Sequence, residues 1–223
     1  MDPSNNPEIE TELKKLGYWN DIYSKQNYFG TGPTILALEA HELIKNNSIT
    51  NILELGCGQG RDSLFFANFG HNVIATDISE NAINSVKKIK NEQNIGNLEL
   101  HLHDSLNPFN FTDLKFELIY SNLALQFFNL KQLSGILSNI KKIMKPNSFF
   151  LFSTIKPGDK YFNFGNKISE NSFEHKGIIR FFFNKSELEN ILKNHFTIIS
   201  FEADSHVNSD KTESVWWKIL VRN

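Results

Sequence analysis

Residues 52–62 read ILELGCGQGRD, and this stretch decides the fold. Its apolar letters predict a buried strand, the glycines at 56, 58 and 60 a tight turn, and the residues after them a helix. Glycine lets the backbone turn sharply or approach a ligand where a Cβ would collide. A second apolar strand ends in Ala75-Thr76-Asp77, seventeen residues after Gly60. If the two strands are parallel neighbours, Asp77 lies beside the turn and can accept hydrogen bonds from ribose hydroxyls.

The spacing of these glycines indicates which cofactor the turn binds. Dinucleotide-binding folds carry G-x-G-x-x-G, whereas this chain reads G-C-G-Q-G, with Glu54 two residues before the first glycine. A nicotinamide-dependent oxidoreductase is therefore the less favoured alternative. The pattern E-x-G-x-G-x-G at the end of the first strand resembles motif I of the class I methyltransferases that use S-adenosyl-L-methionine. That resemblance extends over most of the chain and implies S-adenosyl-L-methionine as the cofactor.

Bulk composition disfavours several other classes of protein. With 223 residues and 40% hydrophobic content, the chain is long enough for one buried core and short for two. The formal charge of -2 gives no general attraction to nucleic acid, whose phosphates require clustered Lys and Arg. Cys57 is the only cysteine, so no disulfide can form within the chain. The polar amino terminus and the strand-length apolar runs predict a cytoplasmic protein with no membrane association, and its oligomeric state stays open.

Strands and helices alternate along the chain, which predicts an α/β fold built on a parallel sheet. The predicted third strand reads LELHLH over residues 98–103, and this alternation favours a half-exposed strand at a sheet edge. We expect its two histidines to be solvated and no metal to be bound, because no further ligands at suitable spacing follow. The last two strands are joined by a short connection and are predicted to form an antiparallel hairpin.

The resemblance to class I methyltransferases implies a Rossmann-like seven-stranded sheet in the order 3-2-1-4-5-7-6, with the last strand antiparallel and helices on both faces. We expect residues 1–223 to form a single methyltransferase domain. Within it, residues 1–48 would form an N-terminal cap segment and helix, and residues 49–155 the cofactor-binding core. Residues 156–183 are predicted to be an irregular insertion on the substrate side, since they are rich in glycine and asparagine, and residues 184–223 a helix and the terminal β-hairpin.

The resemblance also implies a cofactor role for individual residues. The turn after Glu54 would wrap the methionine part of the cofactor, Asp77 would hold the ribose diol, and Ile78 would lie beside the adenine. Asp104 would contact the adenine amino group, and Ser105 would supply backbone donors. The full set of expected cofactor-binding residues is Trp19, Glu54, Gly56, Cys57, Gly58, Gly60, Arg61, Asp77, Ile78, Asp104, Ser105, Asn122 and Leu123.

Two of these residues have alternative roles that the sequence leaves open. Trp19 lies in a segment rich in aromatic residues, which could cover the sulfonium of the cofactor or simply pack on the core. Arg61 could bind the cofactor carboxylate or lie at the surface. Cys57 is expected to be a small residue in a tight turn and need not be a nucleophile, since a thiol reacts only where its surroundings lower its pKa.

Within the superfamily, the chain resembles the tellurite-resistance methyltransferase group. The similarity lies in the aromatic residues around Trp19 and in the runs LELGCGQGRDSLFFA, RFFFNKSELENIL and KILVR. His206 matches a histidine near that group's last strands, and it either reaches the acceptor as a catalytic residue or is exposed on the hairpin. Arg180 either steers an anion or lies at the surface, and Phe127 and Tyr23 are further candidates for the substrate side. The run SNLALQFF after the fourth strand departs from this group and looks more like methyltransferases of carboxylates or other small metabolites.

The predicted function is methyl transfer from S-adenosyl-L-methionine to a small-molecule acceptor by in-line displacement. Such a reaction needs the nucleophile, methyl group and sulfur held in line and water excluded, so it demands neither a catalytic triad nor a metal. The chain lacks the N/D-P-P-Y/F segment of enzymes that methylate amino groups of DNA bases, and the Pro-Cys nucleophile of cytosine-C5 enzymes. Small molecules are therefore favoured over nucleic acid. The alternative is a non-catalytic module that binds S-adenosyl-L-methionine.

Overall fold

The computed structural model of the protein describes the backbone of residues 7–223 and the side chains of residues 13–223. The strands are β1 Asn51–Leu55, β2 Asn72–Asp77, β3 Leu98–Leu102, β4 Phe116–Asn122, β5 Met144–Ile155, β6 Asn166–Ser169, β7 Ser172–His175, β8 Ile178–Phe181, β9 Thr197–Val207 and β10 Glu213–Arg222. The helices are α1 Pro7–Tyr23, α2 Ile35–Asn47, α3 Arg61–Asn68, α4 Glu80–Glu92, α5 Leu130–Ile143 and α6 Lys185–Lys193, with a short 3-10 helix at Leu125–Phe127. Within these residues, none of the helices has the length and apolar character that crossing a membrane requires.

The central sheet of the described chain has seven strands in the order β3-β2-β1-β4-β5-β10-β9. Strands β1 to β5 run parallel to one another, and β10 is antiparallel to both of its neighbours. With β9 and β10 as the sixth and seventh strands of this sheet, the order is the predicted 3-2-1-4-5-7-6. The predicted fold class and the terminal hairpin are therefore confirmed. Strand β3 lies at the edge, as its alternating sequence predicted.

Helices cover both faces of the sheet and form a separate apolar core on each. Successive residues of a strand point to opposite faces, so Ile52 belongs to one core and Leu53 to the other. The core that contains Ile52 packs α2, α3 and α4 against the sheet, with Phe66 of α3 fully buried. The opposite core packs α5 and α6, with Leu137 and Leu188 fully buried. The central strands are buried on both faces, which is why they read as continuous apolar runs.

Parallel pairing brings the carboxyl ends of β1, β2 and β4 side by side at one edge of the sheet. The residues that follow these strands, namely the turn at 56–60, Ile78 and Leu123, therefore lie close together. Ligands of open α/β sheets bind at such an edge, where neighbouring connections leave in opposite directions. Helix α1 packs against α4 and β8 beside this edge.

The stretch predicted as an irregular insertion, residues 156–183, instead contains a three-stranded antiparallel sheet of β6, β7 and β8. Phe173 and Phe182 are buried in it, beside Ile155 at the end of β5. The prediction of irregular structure was wrong because each strand has only four residues. In a strand of four residues flanked by glycines and asparagines, the alternation of apolar and polar residues is too short to recognise. The buried residues of the small sheet also pack against Ile155 of the central sheet, which the local sequence does not indicate.

Candidate active site

A cavity of about 430 Å³ opens at the carboxyl edge of the sheet, between the glycine-rich turn, α1 and the small sheet. Most of the site residues predicted from the sequence line it: Trp19, Tyr23, Glu54, Gly56, Cys57, Gly58, Arg61, Asp77, Ile78, Asp104, Ser105, Asn122, Leu123, Phe127 and Arg180. Gly60 and His206 are not among its lining residues. His206 lies on β9, opposite Ser214 of β10, with its side chain exposed. The structure therefore does not bring the candidate catalytic histidine to the cavity.

The glycines of the turn serve different purposes. All three have a positive φ, at 70° for Gly56, 52° for Gly58 and 78° for Gly60, a region that other residues enter at a cost. A Cβ on Gly58 would lie 2.8 Å from the Tyr23 hydroxyl, inside the cavity wall. A Cβ on Gly60 would instead lie 2.7 Å from a methyl group of Val86, in the core under α4. Gly60 thus allows the turn to pack closely on α4. Gly58 allows the Tyr23 hydroxyl to lie close to the turn in the cavity wall.

Asp77 lies beside the turn, as the parallel pairing of β1 and β2 predicted. One of its carboxylate oxygens accepts a hydrogen bond from the backbone N–H of Gly58 at 2.9 Å, and the other accepts from the N–H of Ser79 at 2.8 Å. Burial raises the pKa of the Asp77 carboxyl, and these backbone donors oppose the rise. The two donors fix the orientation of the carboxylate, and an oxygen with a lone pair still free can accept from a ligand hydroxyl.

Glu54 is a fully buried acid at the end of β1, next to a second buried acid, Asp62. Burial raises the pKa of Glu54 well above its ordinary value, and the neighbouring Asp62 raises it further. Asp62 is well supplied with donors, because it accepts from Tyr120 Oη at 2.7 Å and from both the backbone N–H and the hydroxyl of Thr34. Among the residues that the structure describes, the only side-chain donor to Glu54 is the hydroxyl of Ser63. A cation bound in the cavity would therefore favour the ionised form of Glu54.

Helix α1 covers the cavity with aromatic side chains. Trp19 stacks on Tyr23 at 5.8 Å between ring centroids and meets Phe127 edge to face at 4.9 Å. The helix is tied to the residues after β2, since Asn20 accepts a hydrogen bond from the Ser79 hydroxyl at 2.7 Å. Of the two roles left open for Trp19, the structure favours the cavity wall over simple core packing.

Side chains of the glycine-rich turn and of the first residue of α3 form hydrogen bonds with the segment that follows α1. Arg61 donates from Nε to the carbonyl of Gly32 at 2.7 Å and from Nη1 to that of Phe29 at 2.6 Å. Gln59 donates to the carbonyl of Lys25 at 2.9 Å and accepts from a backbone N–H in the same segment. Both side chains line the cavity rim. Arg61 thus connects the start of α3 to the segment after α1 by hydrogen bonds, a role that neither of its sequence-based alternatives included. The similar role of Gln59 was not predicted.

Residues after β3 complete the side of the cavity expected to face adenine. Asp104 accepts a hydrogen bond from the backbone N–H of Leu106 at 3.0 Å, and Ser105 lies beside it in the lining. His103 also lines the cavity and packs its ring against Phe109 at 5.0 Å. Its Nε2 is buried with no hydrogen-bond partner in the described chain, and burial lowers its pKa. The expectation of a solvated histidine was therefore wrong at His103, because β3 ends one residue earlier and the chain turns inward.

The far end of the cavity is built by the end of β4, the 3-10 helix and β8. Leu123 has a positive φ of 51°, held by hydrogen bonds from its N–H to both the carbonyl and the hydroxyl of Ser153. The buried guanidinium of Arg180 lies over the ring of Tyr161 at 4.7 Å and that of Phe127 at 5.7 Å. Tyr161 was not predicted, since only the fold of the small sheet brings it to Arg180. This end of the cavity combines aromatic walls with a cation, whereas the end near Asp77 is acidic.

The order of the seven strands is that of the Rossmann-like fold seen in class I S-adenosyl-L-methionine-dependent methyltransferases. More narrowly, the chain belongs to the family of the tellurite resistance protein TehB, whose sequence model matches residues 18–198.

Similar proteins agree with this family. A Haemophilus influenzae protein named "Probable S-adenosyl-L-methionine-dependent methyltransferase TehB" is 30% identical over 120 residues, which are 53% of this chain and 41% of that protein. The malonyl-acyl-carrier-protein O-methyltransferase of Buchnera aphidicola is 30% identical over 125 residues, 56% of this chain and 47% of that protein. The match thus spans less than half the length of either relative. The crystal structure of TehB from Haemophilus influenzae shares the fold, with a TM-score of 0.66 at 20% identity over 94% of this chain and 67% of that one.

Proposed function

We propose that this protein transfers a methyl group from S-adenosyl-L-methionine to a small-molecule acceptor by in-line displacement. The observation that carries the proposal is a cavity lined at one end by the glycine-rich turn and Asp77 and at the other by Phe127 and Arg180. Its volume of about 430 Å³ is in the range of small-ligand sites. The names of the TehB relatives support the same reaction class.

The residues of the acidic end fit S-adenosyl-L-methionine. Gly56 and Gly58 let Ala124 and Tyr23 pack closely against the turn, and the turn would hold the methionine part of the cofactor. Asp77 would hold the ribose hydroxyls, while Ile78 and the residues from Asp104 would hold the adenine. The cofactor supplies a methyl group already activated on a positively charged sulfur.

The protein's own residues would then position the reactants and exclude water. Trp19 and Tyr23 cover the cavity with aromatic faces, which stabilise a cation, and buried acids such as Glu54 favour a positive charge nearby. Asn122 and Leu123, at the end of β4, would line the methyl group. Positioning and dehydration account for most of what such a transfer needs. We assign no general base, because His206 lies outside the cavity and a base is needed only for an acceptor that must lose a proton.

The relatives do not fix the acceptor. One relative is named malonyl-acyl-carrier-protein O-methyltransferase, and the matching family is named for tellurite resistance, so these names do not point to one acceptor. The volume of the cavity, about 430 Å³, suits a small molecule. A small-molecule acceptor is therefore our proposal for this chain.

Isothermal titration calorimetry with S-adenosyl-L-methionine and S-adenosyl-L-homocysteine tests the cofactor half of this proposal. Replacing Asp77 by alanine removes hydrogen bonds to a charged acceptor, and we expect affinity to fall roughly 10- to 1,000-fold. Asp113→Ala, an exposed acid of the same type, is the matched control. A folded wild-type protein that binds neither ligand contradicts the proposal. Binding without transfer to any of a panel of thiols, carboxylates, amines and chalcogen oxyanions would favour a non-catalytic module, and enhanced NADH fluorescence on mixing would favour an oxidoreductase.

A further inference from the structure

Arg180 lies in the wall of the cavity, and no described residue forms a direct ion pair with its guanidinium. Only 9% of the surface of Arg180 is accessible to solvent. Its guanidinium has no ion pair or hydrogen bond with any described residue. Its neighbours are ring faces, those of Tyr161 and Phe127. A guanidinium has five N–H donors and stays protonated, so where the protein supplies no acceptor its donors bind water or a ligand. No guanidinium nitrogen is among the buried polar atoms without partners in the described chain, so its donors face the open cavity.

The acid Asp159 interacts electrostatically with Arg180, but both of its carboxylate oxygens already accept backbone hydrogen bonds. Asp159 accepts hydrogen bonds from the backbone N–H groups of Tyr161 at 2.9 Å and Val215 at 3.0 Å, one on each carboxylate oxygen. Burial raises the pKa of the Asp159 carboxyl, while the two backbone donors and the cations Lys160 and Arg180 oppose the rise. Lys160 lies over the outer side of the Tyr161 ring at 5.3 Å and adds a second cation to this end of the cavity. The net electrostatic preference there is for an anion.

We propose that the methyl acceptor is an organic anion, recognised through a carboxylate that binds the guanidinium of Arg180 while its apolar body lies against Phe127 and Tyr161. This inference rests on the proposed function, because it concerns the second substrate of the same site. A carboxylate matches the planar fork of arginine with two parallel hydrogen bonds, and the aromatic walls suit a carbon skeleton. A free inorganic oxyanion has no carbon skeleton to lie against these rings, and it would find only the donors of Arg180 and Lys160 to replace its hydration shell.

Binding to protein saturated with S-adenosyl-L-homocysteine tests the inference without knowledge of the natural acceptor. The probes are aromatic and aliphatic carboxylic acids, each paired with its primary amide, which has the same shape and no charge, and selenite as an inorganic oxyanion. We expect at least one acid to bind, and each acid that binds to do so at least about tenfold more tightly than its amide. Arg180→Gln should remove this difference and leave the affinity for S-adenosyl-L-homocysteine unchanged. Arg180→Lys should restore only part of it, and Arg222→Gln, at an exposed arginine outside the cavity, should retain all of it.

A chemical measurement on the wild-type protein covers the case in which Arg180 variants fail to fold. The chain has only three arginines, Arg61, Arg180 and Arg222, so mass spectrometry can follow phenylglyoxal modification of each separately. We expect a bound acid to shield Arg180 and its amide not to do so, with Arg222 unaffected by either.

Three outcomes would overturn the inference. In the first, the acids bind no better than their amides. In the second, the difference in affinity between acid and amide persists in Arg180→Gln. In the third, selenite binds more tightly than every acid, which would indicate a site for an inorganic oxyanion. Failure of the proposed function looks different. In that case the wild-type protein does not bind S-adenosyl-L-homocysteine at all, whereas failure of this inference alone leaves that binding intact.

Discussion

Replacing Gly60 by alanine tests whether the glycine-rich turn is shaped by packing as well as by cofactor approach. Gly60 has a φ of 78° and caps the start of α3, and a left-handed conformation costs an alanine about 1–2 kcal/mol. The new Cβ would lie 2.7 and 2.8 Å from the two methyl groups of Val86. Val86 is fully buried, so it has little room to move, and overpacking of this kind costs about 1–3 kcal/mol. We expect a total loss of about 2–5 kcal/mol, a large part of a typical domain's stability of about 5–15 kcal/mol.

Urea unfolding followed by circular dichroism can separate the two contributions. Gly70→Ala is the control for backbone strain alone, because Gly70 has a φ of 89° and its new Cβ would meet no described atom within 4 Å. It should cost only the conformational part, about 1–2 kcal/mol. In a double-mutant cycle with Val86→Ala, the steric part is relieved. The double variant should be less destabilised than the sum of the single ones by about 1–3 kcal/mol.

Two results would refute this account of Gly60. One is a cycle in which the effects of Gly60→Ala and Val86→Ala add to within about 0.5 kcal/mol. The other is a Gly70→Ala variant as destabilised as Gly60→Ala, which would leave no role for the contact with Val86. Because Gly60 does not line the cavity, a Gly60→Ala variant that folds should keep its affinity for S-adenosyl-L-homocysteine.

Three further predictions concern the cavity wall. Gly58→Ala should weaken S-adenosyl-L-homocysteine binding in calorimetry, since its Cβ would lie 2.8 Å from the Tyr23 hydroxyl, and Tyr23→Phe should partly restore it; equal affinity in wild type and Gly58→Ala would contradict this. Arg61→Gln should speed limited proteolysis of residues 24–33 and lower that affinity roughly tenfold, whereas Arg222→Gln should do neither. Burial raises the pKa of Glu54 in the folded protein above its ordinary value of 4.5. Above pH 4.5 the folded protein therefore binds more protons than the unfolded chain, so its free energy of unfolding falls as the pH rises. Glu54→Gln should flatten this dependence in urea unfolding by up to about 1.4 kcal/mol per pH unit, and an unchanged slope would argue against it.

The features of this protein that could be predicted from its sequence are those set by local pattern. The glycine spacing, the acid at Asp77 and the edge strand β3 each depend on residues a few positions apart, and their signals are periodicity and glycine conformation. The sheet order followed from the family resemblance and was confirmed. Strand β3 also shows the limit of pattern, because its alternation implied that His103 is solvated although the strand stops at Leu102.

What could not be predicted depends on contacts between distant parts of the chain. Arg61 binds backbone carbonyls about thirty residues earlier, and no local pattern marks a side chain that will meet a particular carbonyl. Tyr161 and Arg180 meet only because the small sheet folds back over the cavity. That sheet was missed because its strands are short and its core is completed by Ile155 of the central sheet. Sequence therefore predicted the residues at the acidic end of the cavity more fully than those around Arg180.

The two ends of the cavity are physically connected. Tyr23 packs over Gly58 of the turn, Trp19 stacks on Tyr23 and meets Phe127, and the ring of Phe127 supports the guanidinium of Arg180. The rings of Tyr23, Trp19 and Phe127 thus form one continuous wall that borders both the turn and Arg180. Because α1 supplies two of these rings and is itself tied to Ser79 after β2, the cap is part of both binding surfaces. A ligand at the acidic end and a ligand near Arg180 would therefore each contact the aromatic wall that α1 and Phe127 form.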